Sequence, residues 1–334
     1  MTSRSDEREQ FLRSSDWQGC EMRALQQDAS FRRYFRLHGG SQPALLMDAP
    51  PGLESIDSFV TISAHLLDLG LSAPRVYLAD PVLGLAILED FGDATFTRLL
   101  DTGTREPELY QLATECLIAL HTHPRALHIH LPRREASFAD EVQLLCDWYW
   151  PEHWQTSCPD DARRAFSVAW AATLERLGTG HDALVLRDFH VDNAMLLPER
   201  SSIARCGLLD FQDAALGHAG YDLISLLEDA RRDVAPEVSQ ACLSLYLKNA
   251  VPVNEHAGFV QDCAILAAQR HTRVLGVFAR LHQRDGKPHY LAHVPRLRRL
   301  LAGAIARAEL QELADWHARW LPLETADAGS RLHV

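Results

Sequence analysis

Lysine is almost absent from this chain, which has only Lys248 and Lys287 among its 33 lysine and arginine residues. The 45 aspartate and glutamate residues outnumber the basic ones and give a net charge of −12. A general nucleic-acid or anionic-membrane binder needs a basic surface that neutralises phosphates. The composition therefore disfavours both classes, although it remains compatible with a local pocket for a small anion.

Cysteine pairs with metal-binding or redox spacing are also missing. The seven cysteines are odd in number and scattered, and none lies in a C-x-x-C pair. This pattern disfavours a disulfide framework and a structural zinc site, and it predicts a reducing compartment. The sequence has no apolar run long enough to cross a bilayer and no apolar signal region at its start. We therefore expect a cytoplasmic, monomeric protein.

The first part of the chain, up to residue 92, has the pattern of a small antiparallel sheet. Residues 33–39 and 43–50 are short β-like runs joined by Gly-Gly-Ser-Gln, which predicts a hairpin. Apolar residues at helical spacing predict a helix over residues 55–70. Two further strand-like runs around Pro81 predict a second hairpin. The expected order is β-β-α-β-β.

The rest of the chain has a mostly helical pattern. One β signal interrupts it, because residues 183–189 and 206–213 are predicted to form a hairpin. The fold class predicted is α+β, with a small sheet lobe over residues 1–92 and a larger helical lobe over 93–334. The amphipathic stretches that predict helices are 106–121, 135–150, 160–177, 218–232, 236–249, 257–283 and 293–319.

The stretch LVLRDFHVDNAMLL, residues 184–197, places charged and imidazole side chains between two apolar runs. It contains Asp188 and Asn193 as D-x-x-x-x-N, and Asp210 follows 17 residues later. Phosphoryl transfer from ATP needs a positioned acceptor hydroxyl and magnesium held by hard oxygen ligands. One carboxylate can orient the hydroxyl, while an amide oxygen and a second carboxylate can hold the metal. The alternative is a polar surface turn with a capping aspartate.

Four further segments favour the catalytic interpretation: DASFRRYFRL (28–37), MDAPP (47–51), LLDFQDA (208–214) and FARLHQRDGKPHYL (278–291). With the D-x-x-x-x-N pair, they resemble the aminoglycoside phosphotransferase/choline kinase superfamily, which has the protein-kinase-like fold. Within that superfamily they are similar to the bacterial anomeric kinases of N-acetylmuramate and N-acetylglucosamine. Those enzymes phosphorylate the C1 hydroxyl in peptidoglycan recycling.

The resemblance implies ATP and Mg²⁺ as cofactors, a nucleotide-binding first lobe and a substrate site in the second. Asp188 would be the catalytic base, Asn193 and Asp210 would hold Mg²⁺, and Asp222 would brace the catalytic loop by accepting backbone hydrogen bonds. The implied nucleotide-contacting residues are Ser30, Phe31, Arg32, Arg33, Glu89, Asp90 and Phe91. The implied amino-sugar side of the site comprises Arg187, His190, Gln212, Asp213 and Arg280.

Two positions depart from the superfamily pattern. Leu186 stands where a histidine usually precedes the catalytic aspartate by two residues. Met47 stands on the third strand, where a lysine usually contacts the ATP phosphates. We expect Arg32 or Arg33 to supply the missing positive charge, although arginine and lysine are not equivalent phosphate ligands.

Three clusters have open interpretations. The histidines at 121, 123, 128 and 130 suggest a metal site, but two prolines break the segment, and His121 also fits a helix end that packs near the junction of the lobes. The aromatic run Trp148–Trp150 with Trp154 suits either sugar stacking or core packing. The basic residues of 270–287 suit either a carboxylate ligand or a solvated helix face.

The acceptor itself also has alternatives. The acceptor could instead be an alcohol of the aminoglycoside, choline or homoserine type; a cationic one would need a carboxylate-lined pocket, and Glu228, Asp229 and Asp233 could line one. An N-acetylmuramate acceptor would need a cationic pocket instead. A non-catalytic relative that only binds nucleotide is the third alternative, suggested by Met47 and Leu186.

Overall fold

The computed structural model describes residues 3–25 and 31–323. Five strands form one antiparallel sheet in the order β1-β2-β3-β5-β4. The elements of this first part are α1 (Arg4–Arg13), β1 (Glu21–Ala24), β2 (Arg33–His38), β3 (Ala44–Asp48), α2 (Asp57–Asp68), β4 (Val76–Asp80), β5 (Leu85–Glu89) and α3 (Phe96–Asp101).

Both predicted hairpins and the predicted helix are confirmed, since β2 pairs with β3, β4 pairs with β5, and α2 lies within residues 55–70. The sequence pattern missed α1 and β1. Helix α1 is polar along most of its length, but Ser3 and Asp6 cap its start reciprocally, and Phe11 and Leu12 are buried. Its Arg4 also pairs with Asp48 of β3, which is 1% exposed.

The second part of the chain is mostly helical, as predicted. Its elements are α4 (Glu106–His121), α5 (Phe138–Val142), a π-helical turn (Leu145–Tyr149), α6 (Trp150–Trp154), α7 (Asp160–Glu175), β6 (Asp182–Val185), β7 (Ala194–Leu196), β8 (Cys206–Leu208), β9 (Ala215–His218), α8 (Gly220–Leu227), α9 (Pro236–Ala250), α10 (His256–Asp285), α11 (Val294–Arg307) and α12 (Gln311–Trp320).

The predicted hairpin between residues 183–189 and 206–213 is wrong. Strand β6 pairs with β9, and β7 pairs with β8, so two nested ladders replace one. The apolar run that follows Asn193 forms a strand of its own, and the short connection at residues 197–205 lets this strand pair locally with β8. Residues 186–193 are therefore a loop between strands of different ladders.

The chain divides into two compact units, which do not follow chain order. The first comprises Met1–Thr104 with Val191–Asp213, and the second comprises Arg105–His190 with Ala214–Val334. Strand β8 belongs to the first unit because the backbone N–H of Leu208 donates to the Ser72 carbonyl at 2.7 Å. The lobe boundary that the sequence predicts after residue 92 is not tested by this division and stays a prediction.

Each unit has its own apolar core. Phe11, Trp17, Leu46 and Ile87 are among the side chains that fill the core of the first unit. In the second unit Phe138, Val185, Tyr221 and Leu266 form a buried cluster. Burial of such side chains supplies most of the stabilisation of each unit.

Helix α10 is the longest element, with 30 residues, and most of one side of it is buried in the second unit. It approaches the turn before the π-helical segment closely at Gly276, where a Cβ atom would lie 2.4 Å from the backbone of Leu144. Only glycine fits there without movement of one backbone. No helix in the described parts of the chain has the length and apolar character that a membrane span requires.

Candidate active site

The loop that carries Asp188 is held by Asp222, which lies in the first turn of α8 and is fully buried. The backbone N–H groups of Leu186 and Arg187 donate to its two carboxylate oxygens at 2.6 and 2.8 Å. These are the backbone hydrogen bonds that the sequence predicts for Asp222. Arg187 has a φ of +75°, an unfavourable conformation for a residue with a side chain, and it directly precedes Asp188.

Asp188 lies among guanidinium groups from α10. Its Oδ1 is 3.4 Å from Nη1 of Arg270 and 4.0 Å from Nη1 of Arg273. Burial by itself would raise the pKa of Asp188, but Arg273 and Arg270 outweigh it and hold this pKa well below its ordinary value. Asp188 is therefore ionised at neutral pH, and 31% of its side chain remains exposed.

A second carboxylate, Glu141, connects the arginines around Asp188. It accepts hydrogen bonds from Arg134 at 2.6 Å and from Arg187 at 3.1 Å, and Arg273 lies 3.5 Å away. Burial would raise the pKa of Glu141, but Arg273 and Arg134 lower it. Sequence reasoning missed Glu141, because a residue 47 positions before Asp188 shares no local spacing with it.

His190 is buried two residues after Asp188. Its Nε2 lies 3.3 Å from Nη1 of Arg231. Burial lowers the pKa of His190, and nearby Asp229 opposes this only in part, so the ring is neutral at pH 7. A neutral ring that faces an arginine offers Nε2 as an acceptor.

The other two residues of the motif lie in the first unit. Asn193 Nδ2 is 3.5 Å from one carboxylate oxygen of Asp210, and the Gln212 amide donates to the other oxygen at 2.7 Å. Asp210 has a φ of +56°, a second strained residue in the motif. Gln212 is buried and Asp213 is exposed.

The donor set at Asp210 fits a magnesium ion. One carboxylate and one amide whose oxygen can be turned toward the ion are hard ligands, and Mg²⁺ commonly takes one or two such protein ligands beside phosphates and water. Among the described residues no cluster of three or more His, Cys, Asp or Glu side chains forms a metal site. The histidine segment 121–130 therefore gives no such site, and His121 ends α4 with its Nδ1 2.7 Å from the hydroxyl of Tyr246.

The residues predicted to cover the phosphates are only partly described, since Ser30 lies outside the described residues. Phe31 is 58% exposed, and its backbone N–H donates to Glu54 at 3.2 Å. Arg32 forms an ion pair with the same Glu54, whereas the side chain of Arg33 is exposed. Met47 is fully buried in β3, so no side chain from this position reaches a nucleotide.

The predicted adenine-binding segment follows the end of β5. Glu89 forms an ion pair with Arg200, and the guanidinium of Arg200 lies over the ring of Phe91, 5.1 Å from its centre. Asp90 accepts from Arg36 at 2.6 Å. These side-chain contacts fix the segment and leave its backbone groups as the part that could contact a base.

Most side chains of the aromatic run and of the carboxylate cluster named from the sequence are packed or paired within the protein. Tyr149 and Trp150 are buried, which favours packing over sugar stacking, while Trp154 is 44% exposed. Glu228 contacts both His271 and Arg307, and Asp233 accepts two hydrogen bonds from Arg296 at 2.8 Å.

The five-stranded antiparallel sheet of the first part and the mostly helical remainder have the two-lobe, protein-kinase-like α+β fold. Choline kinase LicA from Streptococcus pneumoniae shares this fold with a TM-score of 0.64, at 15% identity, over 90% of this chain and 99% of that chain.

The sequence profile of the phosphotransferase enzyme family (APH) matches residues 21–258, and the chain belongs to this family. It is 36% identical to the N-acetylmuramate/N-acetylglucosamine kinase of Caulobacter vibrioides, over 94% of this chain and 96% of the relative. It is 34% identical to the enzyme of the same name from Pseudomonas aeruginosa, over 89% and 87% respectively.

Proposed function

We propose that this chain transfers the γ-phosphoryl group of Mg·ATP to the anomeric C1 hydroxyl of N-acetylmuramate or N-acetylglucosamine. The observation that carries the proposal is its identity of 34–36% with two kinases named for these sugars, along nearly the whole length of both. The enzyme would act as a cytoplasmic monomer in peptidoglycan recycling.

Asp188 would orient the acceptor hydroxyl and receive its proton. A carboxylate with a lowered pKa is a weak base, so it accepts the proton only as the bond to phosphorus forms. The anomeric hydroxyl is more acidic than an ordinary alcohol, which suits a weak base. Asp222 would keep Asp188 in place through the backbone of the two preceding residues.

Asn193 and Asp210 would hold the magnesium ion through their side-chain oxygens. When bound, the ion neutralises charge on the phosphates and orients them. Arg33 is better placed than Arg32 to replace the missing lysine, because Arg32 is paired with Glu54 while the Arg33 side chain is exposed. Gln212 and Asp213 remain proposed contacts on the sugar side.

A cationic acceptor such as choline has less support. Glu228 is paired with Arg307 and contacts the His271 ring, and Asp233 is paired with Arg296. The surroundings of Asp188 are instead rich in arginine. This balance of charge favours a neutral or anionic acceptor.

The test is a screen of ADP release by the purified protein with Mg·ATP and one acceptor at a time: N-acetylmuramate, N-acetylglucosamine, kanamycin or choline. We expect turnover with the amino sugars, and a product whose phosphorus couples to the anomeric proton in NMR spectra. Turnover of choline or kanamycin without turnover of either sugar would overturn the proposal. Stabilisation by Mg·ATP without turnover of any acceptor would indicate the non-catalytic alternative.

A further inference from the structure

Arg280, near the C-terminal end of α10, is a partly buried cation that pairs with no carboxylate in the described part of the chain. Its Nε is shielded from solvent, and its guanidinium has no hydrogen-bond or ion-pair partner among residues 3–25 and 31–323. Burial lowers the pKa of Arg280, and the positive charges of Arg284 and Arg273 lower it further. Asp285 opposes this effect, but its two carboxylate oxygens already accept from Arg284 at 2.7 and 2.9 Å.

The four arginines around Asp188 and Glu141 each contact a carboxylate. Arg134 and Arg187 bind Glu141, Arg270 contacts Asp188, and Arg273 contacts both carboxylates. A shielded cation with neighbours of like charge and no acceptor is costly to maintain. Arg280 therefore adds a positive charge that the described carboxylates of this region do not neutralise.

Arg280 lies on the side of α10 that carries Arg273. Seven residues separate them, which is close to two full helical turns, so their side chains leave the same face about 10 Å apart along the axis. Side chains on a helix lean toward its N-terminus, so that of Arg280 leans toward Arg273. Arg273 is 4.0 Å from Asp188, which places the unpaired charge within the reach of a sugar substituent from the acceptor position.

We propose that Arg280 binds the carboxylate of the acceptor and selects N-acetylmuramate over N-acetylglucosamine. This inference rests on the proposed function. The two sugars are identical except for the lactyl ether at O3 of N-acetylmuramate, which carries the only carboxylate. A guanidinium binds a carboxylate through two parallel N–H donors, and an unpaired one keeps all of its donors available for this contact.

The test compares the two sugars as substrates of wild type and of Arg280→Gln. We expect KM for N-acetylmuramate to rise about 10- to 100-fold in the variant, the loss of a charge-assisted hydrogen bond, with kcat unchanged. KM and kcat for N-acetylglucosamine should stay within about twofold, because that sugar lacks the carboxylate. Arg280→Lys should restore part of the affinity for N-acetylmuramate, since it restores the charge but not the paired donors.

Two controls separate recognition from a structural role. Arg299→Gln removes an exposed arginine of α11 whose partner Asp233 is also held by Arg296, and it should leave the ratio of the two KM values unchanged. The methyl ester of N-acetylmuramate keeps the lactyl ether and replaces the charged carboxylate by a neutral group that is one methyl larger. Wild type should bind the ester more weakly than the acid, and this comparison of two substrates in wild type holds even if the variant is unstable.

The inference is wrong if Arg280→Gln changes KM for both sugars by the same factor, or if it changes neither KM. It is also wrong if the KM of wild type is the same for the acid and for its ester. A wild-type enzyme that phosphorylates N-acetylglucosamine but gives any of these results keeps the proposed function and loses only the role of Arg280. A wild type that phosphorylates neither sugar overturns the proposed function, and the role of Arg280 with it.

Discussion

The two aspartates proposed to act in phosphoryl transfer, Asp188 in the second unit and Asp210 in the first, have different surroundings. Asp188 lies beside the guanidinium groups of Arg270 and Arg273, whereas Asp210 accepts from the neutral amide groups of Asn193 and Gln212. An amide can turn its oxygen toward a cation, but a guanidinium has no acceptor to offer. These described contacts support the two proposed roles, a metal ligand for Asp210 and a hydroxyl-orienting group for Asp188.

The largest effect is expected from Asp210→Asn, which removes the negative charge proposed to hold magnesium. We expect kcat/KM to fall about 10,000-fold, because a bound metal contributes several kcal/mol to the transition state. The Mg²⁺ concentration for half-maximal residual activity should rise as well. A titration of activity against Mg²⁺ checks this, and an unchanged half-maximal concentration would remove Asp210 from the metal site.

Asp188→Asn should reduce kcat about 100- to 1,000-fold, the usual contribution of a positioned general base. The dependence of the variant's activity on Mg²⁺ should match that of wild type, and the variant should bind Mg·ATP almost as well. Neither metal binding nor nucleotide binding involves the acceptor hydroxyl. Steady-state kinetics and calorimetric titration with ATP measure both. Normal turnover by the variant would exclude Asp188 from the mechanism.

Arg273→Gln makes the surroundings of Asp188 more like those of Asp210. Arg273 is the strongest of the neighbours that lower the pKa of Asp188, so its removal lets burial raise this pKa. In wild type Asp188 stays ionised down to below its ordinary pKa of about 4. In the variant we expect the acid limb of the kcat profile to begin at a higher pH than in wild type, and kcat measured from pH 8 down through the acid range checks this shift.

The control for this profile is Arg284→Gln, because Arg284 lies on the same helix but is exposed and paired with Asp285. Its profile should superimpose on that of wild type. If Arg273→Gln also superimposes, the arginines on α10 do not set the protonation of Asp188.

The smallest effect on turnover is expected from Gly276→Ala, which tests the packing of α10, the helix that carries the arginines beside Asp188. A Cβ at residue 276 would lie 2.4 Å from the Leu144 backbone, so the free energy of unfolding should fall by about 1–3 kcal/mol. Chemical denaturation measures this. Gly258→Ala is the matched control on α10, since its Cβ would meet nothing within 4 Å and the variant should be at least as stable as wild type. Equal losses in both variants would contradict the close approach.

Most helices and the sheet could be predicted because their apolar residues recur with a clear period. Helix α1 could not, since its stability depends on a cap and on ion pairs with Asp48 rather than on an apolar stripe. The hairpin through Asp188 was predicted with the wrong pairing, because the sequence shows which segments can be strands but not which strands pair.

Asp188, Asn193 and Asp210 could be singled out as candidates because they keep a fixed local spacing, and their roles stay predictions. Their electrostatic environment could not, since Glu141 and the arginines of α10 are distant in sequence and are brought to Asp188 only by tertiary packing. The basic run of residues 270–287 suggested either a ligand or a solvated face. The structure separates its members by which of them have carboxylate partners.

The methionine buried in β3 also has a practical consequence. Many covalent reagents and activity-based probes for ATP-binding enzymes acylate a lysine amine near the phosphates. This protein has a thioether at that strand position and only two lysines in its entire length. A reagent that targets a lysine at this strand position therefore has no amine to react with here, and inhibitors should be designed around other nucleophiles or around reversible contacts.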